Sequence, residues 1–73
     1  MPITAPDPTF VAFDYTVELQ GEAADFSDAT TIWSGSGLHS AYKAFGNYGG
    51  HRRLVAWGEH RVLPRTPVEL KRV

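Results

Sequence analysis

The chain reads as an α+β domain, a small two-layer sandwich in which a four-stranded, mainly antiparallel sheet, built in the order β-β-α-β-β, carries one helix on one face. Three observations predict it. Residues 10–19 alternate apolar and polar side chains, the period of a half-buried strand. Leu38, Ala41, Tyr42 and Phe45 recur at i, i+3, i+4 and i+7, the spacing that gathers side chains on one stripe of a helix. All five prolines, Pro2, Pro6, Pro8, Pro64 and Pro67, lie outside residues 9–63, so every position between them keeps the N–H that a ladder or a helix needs.

In the first strand, Val11, Phe13, Tyr15, Val17 and Leu19 share one face, while Ala12, Asp14, Thr16 and Glu18 occupy mostly the other. Residues 20–29 read as an acidic loop, broken by Gly21, with Phe26 as its only large apolar side chain. Thr30-Thr31-Ile32-Trp33 is β-branched and aromatic, which makes a short second strand antiparallel to the first. Ser34-Gly35-Ser36-Gly37 ends it. The helix follows, with Ser36 as its amino-terminal cap, because a hydroxyl accepts from an unpaired backbone N–H. Gly46 is expected to close the other end in the left-handed conformation.

Two branched apolar runs then flank Gly58-Glu59, the mark of a two-residue hairpin turn. That turn sets Trp57 against His60, Val55 against Val62 and Leu54 against Leu63. The face carrying Val55, Trp57 and Val62 is expected to point inward, leaving Leu54, Ala56, Arg52, Arg61 and Arg65 exposed. The domain is thus read as residues 9–64, preceded by a flexible proline-rich arm, 1–8, and followed by a basic flexible tail, 65–73.

A chain of 73 residues with 42% apolar side chains holds one domain with a thin core, which leaves little room for a deep, dry pocket. The absence of cysteine removes disulfides, a zinc ribbon and thiol catalysis together. No apolar run approaches the roughly 18 residues of a membrane span, and no basic stretch precedes an apolar one at the amino terminus, so a cytoplasmic location without membrane contact is expected. The formal charge of −1 conceals an asymmetry. Residues 1–28 carry six acidic side chains and no Lys or Arg, a formal −6; residues 29–73 carry seven basic against two acidic, a formal +5. Either the molecule is electrically two-sided or the acidic first strand lies beside the basic segment and the charges pair internally.

Motifs for catalysis or cofactors are weak. Trp33-Ser34-Gly35-Ser36-Gly37-Leu38-His39 joins a strand to a helix through glycine. It lacks the third glycine of a dinucleotide fingerprint and the Gly-Lys-Ser or Gly-Lys-Thr of a phosphate loop, so it reads as a connecting turn. Glu22, Asp25 and Asp28 lack the spacing of a calcium loop. His39, His51 and His60 form no short-spaced pair, and no metal is expected. Ser34, Ser36 and Ser40 have no nucleophile-elbow setting. The expectation is a non-enzymatic chain that carries no cofactor.

The most suggestive cluster is basic and aromatic: Arg52, Arg53, Arg61 and Arg65 with Tyr48 and His51, joined by Lys71 and Arg72 of the tail. Arginine and tyrosine anchor protein interfaces, and opposed charge patches steer association. The expected function is that of a small protein-binding regulator, virus- or plasmid-encoded by the prior for its size. It would act as a monomer that inhibits or modulates a larger host machine such as a transcription complex, with RNA polymerase as one candidate partner. The alternative is a nucleic-acid binder using the same Arg and Tyr stripe, a reading opposed by a pI near 6.2.

Overall fold

A computed structural model describes residues 10–59 and 66–73. Its elements are β1, Val11–Leu19; β2, Thr30–Gly35; α1, Leu38–Asn47; β3, Arg52–Glu59; and β4, Thr66–Arg72. The strands form one antiparallel sheet in the spatial order β2-β1-β3-β4, with α1 on one face. This is the α+β architecture and the element order expected from the periodicities. None of the helices among the described residues is long and apolar enough to cross a membrane.

The helix-facing core joins Val17 of β1 and Leu54 of β3, paired across the sheet, with Ala41, Ala44 and Phe45 of α1. Two alanines let the helix backbone lie close to the strands, and Phe45 fills the space beyond them. Tyr15, Ile32 and Trp33 pack around this cluster. The helix therefore buries a stripe through Ala41, Ala44 and Phe45, while Leu38 and Tyr42 stay 46% and 42% exposed. Its caps also differ from expectation. Gly37, not Ser36, is the N-cap and makes no side-chain cap bond; the chain leaves the helix at Tyr48, whose N–H bonds the Ala44 carbonyl. Gly46 lies inside the helix, and the left-handed glycine is Gly50, at φ 83.

The expected hairpin turn at Gly58-Glu59 is corrected by the structure. Both residues continue β3, with Gly58 paired to Ala12 on one side and Thr66 on the other. Glycine is required there for a different reason. A bulge in β1 between Ala12 and Asp14 brings its backbone so close that a Cβ on Gly58 would collide with the Val11 carbonyl and the Ala12 Cα. The proposed return strand, with His60, Arg61, Val62 and Leu63, and the residues Pro64 and Arg65 lie outside the described residues, as does the arm 1–8.

The sidedness of β3 is also the reverse of that expected. Leu54 faces the helix, so Leu54 and Ala56 occupy the inner face and are 0% and 2% exposed. Val55 and Trp57 point to the opposite face. Val55 is nonetheless only 1% exposed, so the sheet is buried at its centre on both sides. The basic tail is a strand: Thr66–Arg72 pairs antiparallel with β3, and Val73 and Arg52 exchange two backbone hydrogen bonds at 2.9 and 3.1 Å. A register shift at Leu70 puts Glu69 and Lys71 on opposite faces of that strand, and Pro67 is tolerated because an edge strand has one row of N–H groups without a ladder partner.

Candidate binding surface

The pleat of β3 and β4 divides the basic cluster between two faces. Arg52 lies on the helix side, where Nε donates to the Phe45 carbonyl and Nη1 to the Gly50 carbonyl, both at 2.7 Å. Its guanidinium stands 4.5 Å from the Phe45 ring centroid, and Lys71 Nζ stands 5.3 Å from the same ring. Arg53 and Arg72 lie on the opposite face. Arg53 Nε donates to Glu18 Oε1 at 2.7 Å, and Arg72 Nη2 donates to Glu69 Oε1 at 2.7 Å. Their guanidiniums sit 5.0 and 4.5 Å from the ring centroid of Phe26.

Each phenylalanine thus lies against two cations, one pair on each side of the sheet. Glu18 comes from the acidic amino-terminal half, so the charge asymmetry is partly interleaved by folding, through adjacent strands. Glu18 is 8% exposed and its carboxylate also accepts from the Thr16 hydroxyl, which in turn accepts from Trp57 Nε1 at 2.8 Å. A buried carboxylate is tolerable when it is held in this way.

The acidic loop holds Phe26 over these cations. Phe26 is 4% exposed and has φ 65, a left-handed backbone unusual for an aromatic residue. The Asp28 carboxylate accepts from the Glu22 N–H at 2.7 Å and the Ala23 N–H at 3.2 Å, closing the loop on itself. The Asp25 carboxylate accepts from the Ser27 N–H at 3.0 Å, and that bond holds its pKa below the ordinary value of 3.8.

Of the eight residues expected at the binding surface, Arg52, Arg53, Lys71 and Arg72 are therefore committed within the molecule, and Arg61 and Arg65 lie outside the described residues. His51 is exposed at the start of β3. Tyr48 is brought to a different place, a solvent-open groove of about 350 Å³ shared with Trp33 of β2 and with Ser40, Lys43, Ala44 and Asn47 of α1. Its hydroxyl donates to the Ile32 carbonyl at 3.1 Å, tying the end of the helix to β2. The indole of Trp33 lies along its own strand, over Gly35, where a Cβ would come within 2.7 Å of the ring. Ser40, Lys43 and Asn47 repeat at i, i+3 and i+7 on the polar side of the helix, the one signal in the sequence for this groove.

The groove adjoins a sheet edge, since β2 is the outermost strand beside β1. The two edges differ. β4 carries Pro67, Glu69, Lys71 and Arg72, residues that discourage strand addition. β2, Thr-Thr-Ile-Trp-Ser-Gly, has no charge and no proline. Its irregularity is the bulge at Ile32, whose carbonyl Tyr48 already occupies. No protein-family model matches the chain, and no curated protein or solved structure matches it with significance.

Proposed function

We propose that this chain is a protein-binding module that captures an extended segment of its partner along the outer edge of β2, which pairs with no second strand among the described residues and whose Ile32 carbonyl is held by Tyr48. The observation that carries the reading is the contrast between the guarded β4 edge and the uncharged β2 edge lying beside a helix-lined groove. An added strand gains main-chain hydrogen bonds from the edge and side-chain contacts from the groove, the general mode of strand-addition recognition. Such a module regulates by occupancy, blocking or tethering a larger assembly. The internal commitments of Arg52, Arg53, Lys71 and Arg72 give them a framework role and move the proposed surface from the arginine cluster to β2 and α1.

The test is to pan a library of random linear peptides against the folded protein and map a selected peptide by NMR. New protection of alternate amides within Thr30–Gly35, with shifts along the groove side of α1, is expected. Shifts centred on β4, or no selected peptide, would overturn the reading.

A further inference from the structure

Resting on that reading, we infer that the captured segment presents an Asp or Glu side chain, which the groove receives at Lys43. Four cations of the described residues are held by carbonyls, carboxylates or phenylalanine rings, whereas Lys43 has no ion-pair partner among them. The groove has no acidic residue on its walls; it offers the Lys43 ammonium, the Asn47 amide and the Ser40 hydroxyl above the two aromatic side chains. A carboxylate there meets a cation and neutral hydrogen-bond donors without meeting a like charge, and charge-assisted bonds of this kind are the stronger ones.

The position of Trp33 selects a side chain over a chain terminus. It is the fourth of the six residues of β2, so a strand laid along that edge extends past the groove in both directions. Tyr48, pinned to Ile32, keeps the far wall at a fixed distance from the edge, so the acceptor falls at one position of the bound segment.

The experiment compares selections from one random peptide library, displayed with both ends blocked, against the native protein and the variants Lys43→Glu and Lys43→Gln. Lys43 is exposed, so neither change disturbs the core. Peptides selected by the native protein are expected to carry Asp or Glu at one position. Affinity for such a peptide should fall about tenfold with Lys43→Gln and further with Lys43→Glu, and Lys43→Glu should select Lys or Arg at that position. Peptides that protect β2 amides without an acidic position, or with one that Lys43→Glu leaves unchanged, would overturn this inference and leave edge capture standing. Failure to recover any peptide that protects β2 would remove both.

Discussion

Gly58 has no room for a side chain, because the β1 backbone occupies the space a Cβ would need. The Cβ of Gly58→Ala would collide with the carbonyl of Val11 and so must part β1 from β3. The expected cost is about 2 kcal/mol or more, read from urea denaturation; an unchanged midpoint would contradict the close approach. Arg53 poses the opposite problem, since its removal leaves Glu18 buried without its charge partner. With side-chain exposures of 24% and 10%, the pair is shielded enough that Arg53→Ala should cost about 2–4 kcal/mol by the same measurement. A loss below about 0.5 kcal/mol would place the pair with ordinary surface ion pairs. Charge reversal at Arg52 or Arg53 therefore reports on folding as well as on binding, and Lys43 is the cleaner position for a binding test.

Strand β4 separates two accounts of the last residues. A mobile tail contributes nothing to stability, whereas a strand that pairs with β3 from Gly58 to Arg53 shields Leu54 and Val55 from one side. Ending the chain at residue 65 is expected to cost about 3 kcal/mol or more, a large share of the stability of a domain this small, and to lower and broaden the melting transition followed by circular dichroism. An identical melt would restore the mobile-tail account. Val68 and Leu70 give that strand only a weak apolar signal, interrupted by the register shift at Leu70, and Pro67 with a high density of charge argues for a tail in isolation. They fit a strand once it lies at an edge, where proline and charge are useful. Gly58 misleads in the same manner: beside a branched run it signals a turn, and only the bulge in β1 reveals it as a point of contact.

Among the described residues, the cations of the basic cluster divide between two faces of the sheet, an arrangement that weighs against one continuous stripe for a nucleic acid. Arg52 and Lys71 lie against Phe45, and Arg53 and Arg72 lie between carboxylates and Phe26. DNA and RNA oligonucleotides are therefore expected to bind no more tightly than about 100 μM at physiological salt in a mobility assay. Micromolar retention that weakens steeply with added salt would reinstate the nucleic-acid reading. The acidic half serves the same arrangement, for its loop positions Phe26 and its first strand supplies Glu18.

The sequence by itself determined the α+β class, the first two strands, the helix and the start of β3, because periods of two and 3.6 residues are written by each residue's near neighbours; it did not place β4. It determined the net charge and the split between acidic and basic halves on the same terms. Tertiary structure decided which face of β3 meets the helix, which of the described arginines are committed to the framework, and which strands lie at the two edges of the sheet. Those outcomes turn on meetings between residues far apart in the chain, such as Val17 with Leu54, Gly58 with Val11, Arg53 with Glu18 and Tyr48 with Ile32, which no residue's near neighbours encode.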